Sequence, residues 1–205
     1  MISILLKDII DEFESQIVDP EERFTTTGVS WEQYEALLAR LGDSLRYRVT
    51  YLEGTLEIMS SSRPHERRKK NIGMFLEAYF QETRISFWGL GSTTFRKKDK
   101  QGGTEPDESY CIGTDKEFPD LAIEVVVTSG GIDKLAVYKK LGVKEVWFWQ
   151  NNHFSLYYLR GDEYEQITTS ELLPNLDLAL LAQYVVRTDT LEAILEFREQ
   201  IRQNK

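Results

Sequence analysis

Soft metal-ligating side chains are nearly missing: 205 residues contain one cysteine, Cys111, and two histidines, His65 and His153. A four-ligand zinc centre and a disulfide framework within one chain are therefore excluded. No apolar run approaches the ~18 residues that a membrane-spanning helix needs, so no membrane partner is expected. The opening MISILLKDIIDEFESQ has only a short apolar run before Lys7 and then turns acidic, lacking the basic and long apolar regions of a secretory leader; a cytoplasmic location is the expectation. There is no P-loop, GxGxxG, GxSxG or CxxC, no internal repeat and no low-complexity linker. An excess of positive charge is also lacking. Acidic residues outnumber basic ones 34 to 25, a net charge of −9, which opposes attraction of the whole surface to nucleic acid but leaves room for a local basic face.

What the chain does have is enough apolar content, 41% beside 29% charged, for an ordinary globular domain. A chain of this length buries roughly 70% of its unfolded surface without needing a disulfide or structural metal. Apolar side chains at 4, 5, 6, 9, 10, 13 and 17 follow a helical period over residues 3–16. Ser30 and Gln33 form a capping box for a helix carrying Trp31, Tyr34, Leu37, Leu38 and Leu41, closed by Gly42. RVTYLEGTLEIMS alternates around Glu53 and Gly54 as a hairpin. Pro64 sits where a helix start tolerates proline, and the segment to about Thr83 buries Ile72, Phe75, Leu76, Tyr79 and Phe80 on one face. The period then changes to two, with candidate strands at 86–90, 93–97, 106–112 and 120–127. IDKLAVYKKLG and EVWFWQ complete a strand–helix–strand crossover, and helical stretches at 176–186 and 189–203 end the chain.

The strand LAIEVVV is too apolar to have a wet face, so it reads as central in a sheet covered on both sides. An unpartnered ionised carboxylate there costs several kcal/mol, so Glu124 requires compensation. Asp107 precedes it by 17 residues, enough for a hairpin that sets the two strands side by side. Their carboxylates then suit Mg²⁺, with Mn²⁺ as substitute, and water activation for phosphodiester cleavage. The competing reading is a buried acid paired with lysine or arginine. Asp120 points the same way as Glu124 but lies roughly 13 Å along the strand, too far to share one ion, and reads as a strand-start residue or one supporting the site from outside.

Lys134, ten residues after Glu124 on the next helix, can turn back to orient or deprotonate water, or is a solvated helix lysine. Glu66 can supply a third acid or simply favour the positive end of its helix. His65 is a weaker candidate for catalysis or phosphate contact. Tyr138, Trp147, Phe148 and Trp149 read as core before they read as a base-stacking platform. Positive charge concentrates at Arg63, Arg67, Arg68, Lys69 and Lys70 and at Arg96, Lys97, Lys98 and Lys100, which are either solvated surface or phosphate contacts.

SWEQYEALL, LEIMS, PHE at 64–66, GSTTF at 91–95, EPD at 105–107, PDLAIEVV at 119–126, DKLAVY at 133–138 and LGVKEVWFW at 141–149 resemble, in order and spacing, a bacterial restriction-endonuclease family of Uma type. That family is a domain of unknown function assigned to the PD-(D/E)XK nuclease superfamily. The resemblance covers roughly residues 25–185 and implies an α/β (α+β) fold with a restriction-endonuclease-like core, a mixed central sheet flanked by helices. Residues 1–24 are then an N-terminal helical extension and 186–205 a C-terminal helix. By the same resemblance Asp107 matches the metal-binding aspartate, Glu124 the acid of the (D/E)XK element, and Glu66, with His65 beside it, the acid of the first core helix. Val126 stands where the superfamily has lysine, and the role passes to Lys134, with Tyr138 nearby on its helix. The SGG at 129–131 replaces a Ser-Pro type turn before that lysine.

Three functions follow. The first is a Mg²⁺-dependent DNA endonuclease, with the basic clusters on phosphates and two symmetric copies cutting the two strands as a homodimer. A nucleic-acid-binding module with negligible catalysis on the same fold is the second. The third is an interaction domain that binds neither metal nor nucleic acid.

Overall fold

The computed structural model describes residues 22–42, 47–127 and 131–203. The helix expected over 3–16, and Ser129 and Gly130 of the turn before Lys134, lie outside them. The chain forms two compact units, each assembled from separated stretches: residues 1–62, 94–105 and 128–141 make the first, and 63–93, 106–127 and 142–205 the second.

In the first unit, strands β1 (Arg23–Thr27), β2 (Tyr47–Leu52), β3 (Thr55–Ser60), β5 (Phe95–Lys97) and β6 (Gly102–Thr104) pair antiparallel in the order β1-β3-β2-β6-β5. The β2–β3 hairpin turns through Glu53 and Gly54, whose φ values of 46° and 87° match the left-handed backbone that such two-residue turns need. Helix α1 (Trp31–Leu41) starts at the expected capping box. The Ser30 hydroxyl accepts from Gln33 N at 3.2 Å, and Ser30 N donates to Gln33 Oε1 at 2.7 Å. Trp31, Tyr34 and Leu37 bury against Val49, Tyr51, Leu56 and Ile58, forming this unit's core. Helix α3 (Lys134–Leu141) belongs here too; the Asp133 carboxylate accepts from Leu135 N at 3.0 Å at its start.

The sequence pattern missed two strands of this unit. β1 is a run of threonines with no apolar alternation. β6 is glycine-rich, and glycine is demanded by a close approach: a Cβ on Gly103 would fall 2.4 Å from Tyr34 Oη.

The second unit holds a six-stranded sheet in the order β11-β10-β9-β8-β7-β4, built from β4 (Phe87–Gly89), β7 (Glu108–Ile112), β8 (Leu121–Val125), β9 (Glu145–Gln150), β10 (His153–Arg160) and β11 (Glu163–Ile167). It is mixed, because β8 and β9 run parallel while the other pairs are antiparallel. Helices α2 (Arg63–Thr83), α4 (Leu178–Val185) and α5 (Thr190–Gln203) contribute Ile72, Phe75, Leu181, Ala193 and Phe197 to one core with Leu121, Ile123, Val125, Trp147 and Trp149 of the sheet. Burying one Phe or Leu side chain in such a core contributes about 1.5–3 kcal/mol. The architecture is the mixed α and β kind expected of a restriction-endonuclease-like core. Among the described residues no helix is long and apolar enough to cross a membrane.

Candidate active site

The candidate site grows out of β8. All five of its residues are buried. Alternation sends Leu121, Ile123 and Val125 into the helix-covered core and Ala122 and Glu124 to the opposite face, leaving a carboxylate only 7% exposed within an apolar strand. Across the parallel pair, Glu124 stands in register with Phe148 of β9.

Asp107 lies at the bend before β7, just after Pro106, and it binds both strand neighbours of Glu124. Its amide donates to Ile123 O at 3.1 Å, and its Oδ2 accepts from Val125 N at 2.7 Å. The Asp107 carboxylate thus runs alongside the backbone of Glu124, and the two strands lie side by side as expected. The loop length made that juxtaposition readable, while the bonding pattern that fixes it was not.

His65 completes this group. From the first turn of α2 it brings Nε2 to 2.8 Å from Asp107 Oδ1, and its side chain is 1% exposed. Sequence reasoning gave it a minor place, because a histidine in a first helical turn carries no periodicity that announces its partner. The contact holds the carboxylate plane between an imidazole and a main-chain amide. A metal-ligating carboxylate needs such support from hydrogen-bonding neighbours to stay oriented.

Glu66, the next residue, is half-buried and pairs with Lys69 Nζ at 3.7 Å. Asp120 sits at the far end of β8 under different conditions. Its Oδ2 accepts from Ile112 N at 2.8 Å and from the Lys116 ammonium, while Lys144 Nζ lies 3.0 Å from Oδ1. Burial works to raise its pKa, but Lys116, the Ile112 amide and Lys144 outweigh it and hold the carboxyl below its ordinary value. Lys134 opens α3 in the first unit, where its ammonium donates to Thr104 Oγ1 at 2.9 Å; Tyr138 is fully buried in the same helix.

Five members of the two basic clusters have partners within the protein. Arg68 donates to Val185 O at 3.2 Å and Lys69 to Ser92 Oγ at 3.2 Å. Arg96 lies 3.8 Å from Glu35, Lys97 donates to Leu141 O at 2.7 Å, and Lys98 to Glu32 at 3.1 Å. Trp147 and Trp149 are core, whereas Phe148 is only partly covered and meets Tyr157 edge-on at 5.7 Å.

One titratable group near the site went unnoticed in the sequence. Burial pushes Glu108 up to about 7; Lys69 and Lys70 pull against that rise, while Glu77 and Asp107 add to it. Alternation along β7 puts Glu108 on the face of Tyr110, whose hydroxyl is buried with no hydrogen-bond partner among the described residues. An acid beside Asp107 but turned to the opposite face was the available signal.

A hard divalent cation requires oxygen donors that converge on one point. Among the described residues no group of three or more His, Cys, Asp or Glu side chains is arranged to hold a metal ion. Mg²⁺ asks for less: one or two carboxylates, with waters and substrate oxygens filling its octahedron. Asp107, at the bend before β7, and Glu124, within β8, are oxygen donors of the kind that requirement names.

A family model described as "Putative restriction endonuclease", Uma2, matches residues 31–189. No curated protein matches the chain.

Proposed function

The chain belongs to the Uma2 family, and from that premise we propose that it is a Mg²⁺-dependent endonuclease hydrolysing DNA phosphodiester bonds, with Asp107 and Glu124 as its metal-binding acids. The family description points to a nuclease. The observation that supports the finer reading is the bonding of Asp107 to both strand neighbours of Glu124, which sets one hard oxygen donor alongside the backbone of the other. Asp107 and Glu124 would hold Mg²⁺, or Mn²⁺ in its place, which would supply Lewis acidity for phosphodiester hydrolysis.

The chain's own residues do the rest. His65 fixes the plane of the Asp107 carboxylate through its 2.8 Å contact. Glu66, half-buried at the start of the same helix, assists through water. Lys134 takes the role of orienting the nucleophile, since Val126 stands where the superfamily has lysine. The protein acts in the cytoplasm as a homodimer, for which light scattering after gel filtration is the measurement.

Supercoiled plasmid tests the reading. Wild type and Glu124→Ala are compared with Mg²⁺, with Mn²⁺ and with chelator. Metal-dependent nicking that the variant loses supports the endonuclease, and identical behaviour of the two proteins sinks it. Val126 also favours a second reading, a binding module without turnover. Asp107→Asn separates the two: an enzyme loses cleavage and keeps binding, whereas a module shows only binding in both forms.

A further inference from the structure

Not all the cations of α2 are engaged within the protein. Arg63, Arg67 and Lys70 are exposed and make no ion pair or hydrogen bond among the described residues, although the charge of Lys70 is felt by the Glu108 carboxyl. Their spacing, i, i+4 and i+7, puts them on one stripe of the helix. His65, about 200° around the helix from Arg63, turns the other way to Asp107.

The position of this stripe is electrostatically unfavourable. A helix gains from cations in its last turn and loses from cations in its first turns, where the unpaired N–H groups concentrate positive charge. α2 gains little of this kind: its last turn has no basic residue, its first turn holds Arg63 beside Glu66, and Arg67 and Lys70 follow in the next turns. Further along the same stripe stand Met74, Glu77 and Gln81, so the charge is confined to the end that also bears His65. Exposed cations grouped in the N-terminal half of a helix suit a polyanion that arrives from outside, and they are set against a net charge of −9 for the chain.

We propose that Arg63, Arg67 and Lys70 form a phosphate-tracking stripe for one strand of duplex DNA, and that the cluster at Arg96, Lys97 and Lys98 serves the fold instead. The spacing matches. At 1.5 Å rise per residue the three side chains are distributed over about 10 Å of helix axis. Phosphates of one strand recur every ~3.4 Å along the duplex axis, so the stripe covers about three of them. This rests on the nuclease reading for its choice of substrate, but it concerns binding, not turnover.

The experiment measures binding of a labelled DNA duplex by fluorescence anisotropy, in chelator so that nothing is cut, from low to moderate salt. Wild type is compared with Arg63→Gln/Arg67→Gln/Lys70→Gln and with Arg96→Gln/Lys98→Gln. The stripe variant should lose about 2–3 units from the slope of log affinity against log salt, at about 0.9 per phosphate, and bind at least about tenfold more weakly at low salt. Its melting temperature should hold, because the three exposed side chains make no ion pair or hydrogen bond among the described residues. The second variant should keep the wild-type slope.

An unchanged slope in the stripe variant overturns the proposal, as does loss of slope in the second variant only, or absence of salt-dependent binding by wild type. A stripe variant that melts lower and loses slope only in its unfolded fraction also counts against it. Failure of the nuclease reading shows separately, as wild type that binds with the predicted slope and never cleaves in Mg²⁺.

Discussion

The two ends of β8 carry buried carboxylates under opposite arrangements. At the start of the strand, Asp120 is gripped by the ammonium groups of Lys116 and Lys144 and by the Ile112 amide. Near its end, Glu124 lies beside Asp107, whose oxygens meet an imidazole and a strand amide. The first arrangement neutralises an acid and pins the loop from β7 to the strand. The second holds the Asp107 carboxylate between His65 and the Val125 amide, alongside the backbone of Glu124. A buried acid is therefore no sign of chemistry by itself: Asp120, clamped by two lysines and an amide, is accounted for as a structural staple.

The comparison can be broken most easily at the Glu124 end. Asp107→Asn and Glu124→Gln should each slow metal-dependent nicking by about 10³-fold or more, about 4 kcal/mol of barrier, with thermal melting close to wild type. A variant that cuts normally would remove the distinction between the two ends. Asp120→Ala should do the opposite. It should cost about 2–3 kcal/mol in urea denaturation, near the lower end for breaking a buried pair because both lysines can rehydrate, while folded protein keeps its nicking rate.

Next in size is a pH effect that distinguishes Glu108 from Asp120. Glu108 is raised from an ordinary 4.5 to about 7, so folded protein binds more protons than unfolded protein between those values. Stability from this group is present below 4.5 and is lost as pH rises through 7, a loss of up to about 2 kcal/mol. Glu108→Gln should flatten the denaturation midpoint between pH 5 and pH 8. Asp120 has the opposite sign: held below 3.8, it contributes stability above that value and loses it as pH falls further. The smallest effect is expected from Lys144→Ala, under about 1 kcal/mol in the same denaturation assay, since Lys144 is 55% exposed and Lys116 still binds Asp120.

Much of this was legible in sequence where a side-chain period or cap reported the backbone. Ser30 and Gln33, the Glu53–Gly54 hairpin, α2 and the apolar run of β8 all stand close to where the pattern placed them. β1 and β6 did not show, because threonines give no alternation and Gly102 and Gly103 have no side chains to alternate. The C-terminal helix read as periodic, but the pattern alone could not reveal that Ala193, Phe197 and Ile201 enter the second unit's core. In the site, one charge in an apolar run identified Glu124 and the spacing brought Asp107 to it. His65 and Glu108 depended on contacts between a helix turn and a strand start, which no local period encodes.

The interleaving of the two units has a practical consequence for engineering. The chain passes between them at five junctions, after residues 62, 93, 105, 127 and 141, so neither unit can be excised as one continuous fragment. Three of these junctions lie within three residues of His65, Asp107 or Glu124. Inserting a flexible tag after residue 93 or 141 leaves the register of those side chains to the elements that carry them. The same insertion after 62, 105 or 127 lands beside the candidate chemistry, so a scan of the five junctions should divide into two tolerant positions and three that abolish activity.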